Sequence, residues 1–197
     1  MKSDLFKIPI WATNLTHEPT LVDTCIKIST TTPSNNRSNF GGYQSPDITV
    51  SNYMEFKPFH SLLEKIQNAA SEFARSLECK ESLEFSNAWF NINGYKDFHT
   101  PHTHPQSVLS GVYYILAEPP CGNIEFYPPQ YLLMHETWNK DFVKNNNEYT
   151  AKSWKVESKT GRLYIFPSWL LHSVNPQPNH NQRIALSFNF KTISALH

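Results

Sequence analysis

Three histidines crowd one short stretch of this 197-residue chain. Residues 91–115 read NINGYKDFHTPHTHPQSVLSGVYYI and carry His99, His102 and His104 ahead of an apolar run. One residue separates His102 from His104. Side chains alternate faces along a β-strand, so an H-x-H pair on a strand can grip one metal ion from one side. A further imidazole, His172, comes much later in FPSWLLHSVNP, and Arg183 lies eleven residues beyond it in NQRIALSFNF. Neutral imidazoles suit divalent transition metals. They leave the ion's double charge intact, which favours a dianionic chelating ligand. The planar fork of an arginine suits the far carboxylate of such a ligand. His102, His104 and His172 are therefore candidate metal ligands, and Arg183 is the candidate anchor for an acid beside them. Taken alone, the H-x-H pair is equally well read as two satisfied core histidines of a plain β-sandwich. The distal histidine and the arginine shift the balance.

An H-x-H grip requires strands, and the composition suits them. Aromatic residues make up 14% of the chain, charged residues only 17%, and there are 14 prolines. That balance points to a β-rich, turn-rich fold. From residue 83 the pattern is of short strands. LEFSNAWFNI would place Leu83, Phe85, Asn87, Trp89 and Asn91 on one face. SVLSGVYYILA is mostly apolar, with Gly111 marking a bulge or a close backbone approach. NIEFYPP is a short strand ended by prolines. Residues 162–166, 170–174 and RIALSFNFKT supply the last three strands. Many short strands after helices predict a sandwich or barrel with helices packed outside.

Ahead of them, residues 5–11 alternate enough for a strand, with Pro9 marking an edge. HEPTLVDTCIKIST carries a helical stripe of Leu21, Cys25 and Ile28, with Pro19 near its first turn. Residues 59–77 form the clearest helix, with Leu62, Leu63, Ile66, Ala70, Phe73 and Leu77 on one face. The polar stretch 30–47 is long for a passive connection and makes Arg37, Tyr43 and Gln44 candidates for the mouth of a site. Residues 128–150 read as an insertion of undefined structure, and the whole chain, 1–197, reads as one domain: residues 1–80 pack on a core of residues 83–192.

Lys plus Arg and Asp plus Glu both number 17, so no basic excess marks a nucleic-acid partner. Cys25, Cys79 and Cys121 are scattered, which argues against a disulfide framework. The N-terminus has no signal-peptide pattern, and no run approaches the roughly 20 apolar residues of a membrane span. The expectation is a soluble cytoplasmic protein, of a bacterium or of the host cell if viral. His60, His135, His180 and His197 are assigned to caps or surface, and His99 to a solvated loop, with a supporting role beside the metal ligands as its alternative.

Several segments together carry a family resemblance: SNFGGYQS, AWFNINGYKDFHTPHTHPQSVLSGVYYI, GNIEFYPP, TGRLYIFPSWLLHSVNP and RIALSFNF. With these the chain resembles the 2-oxoglutarate/iron(II)-dependent dioxygenase superfamily, and within it a small family of bacteria and marine phages with an H-x-H motif. The resemblance implies a mainly β fold, a double-stranded β-helix (jelly-roll) core with the metal in its mouth. It implies Fe(II), O2 and 2-oxoglutarate as co-substrate, with ascorbate helping in vitro. The implied reaction converts 2-oxoglutarate to succinate and CO2 while a C–H bond of a small-molecule or peptide substrate is hydroxylated.

The chain departs from the superfamily's H-x-D pattern, because His104 stands where the carboxylate is usual. Three arrangements follow. His104 replaces the carboxylate, or His102 and His172 act alone with water in the gap, or Asp97 or Glu125 reaches in from elsewhere. Strand geometry favours the first. A second departure is Ala185, where many members place a serine or threonine two residues after the arginine, and Ser187 is the candidate substitute. Asn91 and either Tyr113 or Tyr114 are further candidates to bond the co-substrate, and Ser110 is a candidate wall. Two alternatives stand beside this expectation: a cupin-like metalloenzyme that does not use 2-oxoglutarate, and a non-enzymatic jelly-roll binding module.

Overall fold

Alternating apolar and polar residues in the C-terminal half build two antiparallel sheets, and helices from the N-terminal half cover one of them. The computed structural model describes residues 3–35, 37–79 and 83–192. The first part of the chain holds β1 (Trp11–Asn14), α1 (Thr20–Thr31), β2 (Asn39–Phe40), β3 (Tyr43–Gln44), β4 (Ile48–Thr49) and α2 (His60–Ser76). A 3-10 segment, Tyr53–Phe59, leads into α2. Eight strands follow: β5 (Leu83–Asn93), β6 (Phe98–His102), β7 (Leu109–Leu116), β8 (Ile124–Phe126), β9 (Trp154–Val156), β10 (Arg162–Pro167), β11 (His172–Val174) and β12 (Arg183–Thr192). One short helix, α3 (Tyr131–Thr137), sits between β8 and β9.

These eight strands make two layers, β10-β7-β12-β5 and β6-β11-β8-β9, with every pairing antiparallel. The chain crosses from one layer to the other at nearly every turn, which is the jelly-roll winding. The remaining strands extend the edges: β1 on β10, β3 and β4 on β5, and β2 on β6.

The larger sheet has a core on each face, and β12 shows why. Ile184, Leu186, Phe188 and Phe190 point to the helical side, where they pack with Leu62, Ile66, Ala70 and Phe73 of α2. Arg183, Ala185, Ser187 and Asn189 alternate to the other face. There a smaller cluster of Val112, Tyr114, Phe126, Tyr164, Phe166 and Leu170 fills the space between the sheets. Full burial of each large apolar side chain is worth about 1.5–3 kcal/mol. Gly111 is where β7 lies closest to its neighbours: a Cβ there would sit 2.3 Å from Phe188 Cζ and 2.4 Å from Tyr164 O.

Three segments differ from the sequence expectation. Residues 5–10 form no strand. Proline cannot donate to a ladder, and pairing with β10 starts only beyond Pro9, at Trp11. Leu83 and Phe85 do not share a face with Asn87, Trp89 and Asn91. Asn87 pairs with Asn189 but Phe85 with Phe190, so Ser86 is bulged out of β5. The bulge turns Phe85 toward the helical core and keeps Asn87 and Trp89 on the site face. Residues 168–170 form a turn, so the last strand before β12 starts only at His172. In the expected insertion, α3 buries only Met134. No helix among the described residues is long and apolar enough to cross a membrane. His197 lies outside the described residues.

Candidate metal centre

The antiparallel ladder between β6 and β11 brings the two distant histidine segments together. His172 is the direct cross-strand partner of His102, and their ring centroids are 4.4 Å apart. His104 lies just past the end of β6, where its amide N–H donates to Ser168 O at 3.0 Å. That bond turns its ring onto the same spot, with Nε2 3.3 Å from His172 Nε2. One ring nitrogen from each of His102, His104 and His172 lies within 4.8 Å of the others. Imidazole nitrogens bind such ions at about 2.1 Å, so adjacent ligands on one ion stand about 3 Å apart. The observed spacing can close on a single ion with small rotamer adjustments.

The ring tautomers are set by the backbone. Nδ1–H of His102 donates to Thr100 O at 2.7 Å, and Nδ1–H of His172 donates to Leu170 O at 2.8 Å. Both assignments leave Nε2 as the lone-pair nitrogen facing the site. Burial pushes the His104 imidazole down to about 4 and His172 to about 3, with the neighbouring His102 adding to each, and burial lowers His102 too. All three are therefore neutral at pH 7, the state in which they can donate lone pairs. Among the described residues no carboxylate joins them. Asp97 Oδ2 accepts the Gly94 N–H at 2.7 Å. Glu125 accepts Ser153 Oγ–H and Asn175 Nδ2–H and faces Lys155.

A cavity runs inward from the histidines between the sheets, walled by Val112, Tyr114, Ile124, Phe166 and Ala185, with Arg183, Asn91 and Ser187 also lining it. Arg183 is buried, yet its fixed partners are neutral: NH1 donates to Gly122 O at 2.8 Å and NH2 to Asn93 Oδ1 at 2.6 Å. Its Nε–H has no partner among the described residues, and neither Nδ2 nor Oδ1 of the buried Asn91 has one. Buried polar groups left unpaired cost about 1–3 kcal/mol each. Three such atoms around one cavity mark a place for a polar ligand. A guanidinium whose hydrogen-bond partners are neutral, with the Asp97 carboxylate acting on it only through space, selects an acid. The apolar walls between suit a short methylene chain.

The structure brings His102, His104, His172, Arg183, Asn91 and Ser187 to this cavity, but it places Tyr113 elsewhere. Along β7 the faces alternate, so Val112 and Tyr114 face the cavity and Tyr113 packs in the helical core, its phenol near Thr16 O. Of the two candidate tyrosines it is thus Tyr114, not Tyr113, that lines the cavity, and burial holds its phenol up at about 12 despite Arg183 nearby. Ser110 bonds Ser168 and Asn189. His99 is buried in the cavity lining and not in a solvated loop, which fits its alternative reading as a partner beside the other histidines. It is covered by β2, and a bulge in β6 between His99 and His102 turns both toward the cavity despite their odd spacing. His99 Nε2 lies 3.3 Å from Asn93 Oδ1. Asn93 was missed because its role depends on partners far away in sequence.

Residues 87–189 match the family described as "Putative 2OG-Fe(II) oxygenase". The match spans more than half of the chain and all of the site strands. The chain belongs to the 2OG-Fe(II) oxygenase family. A search among curated proteins returns no match. Solved structures of this shape include a Pseudomonas putida prolyl-4-hydroxylase, with a TM-score of 0.62 at 16% identity, covering 95% of this chain and 94% of that one. A viral collagen prolyl hydroxylase from Paramecium Bursaria Chlorella virus-1, solved as a 2OG complex, gives 0.60 at 15% identity over 93% and 96%. HygX from Streptomyces hygroscopicus, solved with nickel and 2-oxoglutarate bound, gives 0.59 at 8% identity over 95% and 84%. At these identities the likeness is one of fold, the jelly-roll that this oxygenase shares with them.

Proposed function

We propose that this oxygenase is an iron(II)- and 2-oxoglutarate-dependent dioxygenase that hydroxylates an unactivated C–H bond of a small-molecule or peptide substrate, with release of succinate and CO2. His102, His104 and His172 hold the metal, with His104 in the position where relatives use a carboxylate. Arg183 receives the far carboxylate of 2-oxoglutarate, and Asn91 and Ser187 offer hydrogen bonds along its length. The observation that carries this reading is one cavity lined both by three converging imidazoles and by a buried guanidinium whose hydrogen-bond partners are neutral. Iron, when bound, supplies dioxygen activation. The chain's own residues bind and orient. Val112, Ile124 and Phe166 keep water from the cavity, and the backbone acceptors at Thr100 and Leu170 hold two rings in the metal-binding tautomer.

Purified protein with iron(II) and ascorbate should convert 2-oxoglutarate to succinate. Arg183→Ala should raise the 2-oxoglutarate requirement at least a hundredfold, since a buried charge-assisted pair is worth about 3 kcal/mol. An all-nitrogen set, with no carboxylate joining it among the described residues, also favours a second reading, a cupin-like metalloenzyme that does not use 2-oxoglutarate. That reading predicts metal-dependent activity that survives Arg183→Ala and ignores 2-oxoglutarate.

A further inference from the structure

Outside the histidines the chain forms a second, larger depression, a groove of about 870 Å³. It shares Ser38, Trp89, His102 and His104 with the inner cavity, so the two adjoin at the same imidazoles. The inner cavity is apolar-walled and ends on a cation. The groove is different. Among the described residues, six with hydroxyls and four with carboxamides line it, no carboxylate does, and Trp89 is its one aromatic residue besides the two histidines. Its two cations are already matched: Arg37 lies 3.1 Å from Asp47, and Lys191 lies 3.5 Å from Glu84.

The floor is built for side-chain readout. Asn87 and Asn189 are cross-strand partners on β5 and β12. Asn189 Nδ2–H donates to Asn87 Oδ1 at 3.0 Å, and Asn189 Oδ1 accepts Ser110 Oγ–H at 2.7 Å. Asn87 Nδ2–H donates to Asp47 Oδ2 at 3.1 Å. Each carboxamide is thus locked in one orientation with a second N–H still to give. Beneath the groove the backbone edges are closed, because β5 pairs with β12 on one side and β4 on the other. A peptide cannot add to this floor as a strand.

We propose that this groove is the prime-substrate site, and that it takes an uncharged, hydroxyl-rich small molecule, a saccharide, with Asn87 and Asn189 as specificity-determining residues. Hydroxyls both donate and accept, and so do the serine, threonine, asparagine and glutamine side chains that line the groove. A volume of this size holds a ligand of two or three sugar rings. The proposal rests on the reading of His102, His104 and His172 as the metal site only for which end of the substrate reacts.

Saturation-transfer NMR on the metal-free protein tests it with glucose, N-acetylglucosamine, maltotriose, glucose 6-phosphate and a proline-containing decapeptide. Neutral saccharides should bind, with maltotriose tightest. Asn87→Ala should weaken maltotriose about tenfold, the loss of one neutral hydrogen bond. Ser107→Trp, which fills the groove from its rim, should abolish binding while circular dichroism and the thermal transition stay native. Binding of the decapeptide alone, binding of none of the saccharides, or equal maltotriose affinity in the folded Ser107→Trp protein would overturn the proposal. Iron and 2-oxoglutarate titrations run separately, so their failure would indict the metal-site reading instead.

Discussion

The unusual residues are buried polar ones, and each gains its property from a neighbour. Arg183 matters because its two fixed partners, Gly122 O and Asn93 Oδ1, are neutral. Replacing Asn93 with Asp would set a carboxylate against the guanidinium and cancel the charge that a ligand should meet. We expect Asn93→Asp to weaken 2-oxoglutarate binding tenfold to a hundredfold, about 1.4–2.8 kcal/mol, with metal affinity retained, as read by calorimetric titration of each. The histidines give a pH signature. Their folded, metal-free imidazoles are lowered by burial, to about 4 for His104 and about 3 for His172. The unfolded chain takes up those protons near pH 6.5 and the fold refuses them. Stability is therefore full above that pH and falls as pH drops toward 4. Urea midpoints of the metal-free protein should decline across that window, and His172→Asn should flatten the decline. These histidines and Arg183 were legible from type and spacing. Asn93 and His99 were not, since only the folded strands bring them to Arg183 and His102.

At the level of elements, period-two alternation predicted β7 and β12 well and failed where a bulge intervened. Each bulge shifts parity by one. Ser86 moved Leu83 and Phe85 to the other face, and the irregularity in β6 brought buried His99 onto the face of His102. The choice between Tyr113 and Tyr114 is likewise a matter of parity, settled by which face of β7 meets the second sheet. Helix α2 was read almost to its ends because its apolar stripe is long and uninterrupted. Gly111 was read from its place inside an apolar strand, and the strand has no room for a side chain there. Gly111→Ala should cost about 1–3 kcal/mol through overpacking against Phe188 and Tyr164, measured by urea denaturation.

For the whole molecule, the jelly-roll places the three converging imidazoles where two cavities of different lining meet. One is apolar-walled with a cation in its lining, and the other is lined mostly by hydroxyls and carboxamides, with its two cations ion-paired to Asp47 and Glu84. Ligands that bind only the folded state raise its stability, by about 2.7 kcal/mol at a hundredfold excess over Kd. Each kcal/mol is worth about 2–4 °C in a chain of this size. Metal should therefore raise the thermal midpoint by several degrees, and 2-oxoglutarate should add a second increment only when metal is present. Arg183→Ala should keep the first increment and lose the second, as read by differential scanning calorimetry. The jelly-roll was legible as a family resemblance. Arg37 and Gln44, read from the polar stretch 30–47 as candidates for the mouth of a site, line the outer groove, but its floor was not legible, because it depends on the Asn87–Asn189 pairing of two strands about 100 residues apart.

The account depends on three imidazoles acting on one ion. Anaerobic titration of iron(II) into the wild-type protein and His102→Ala, His104→Ala and His172→Ala proteins tests this most directly. One tight site per chain, weakened at least a hundredfold in every variant, is the predicted result. An affinity unchanged by His104→Ala, or no stoichiometric site in the wild-type protein, would contradict it.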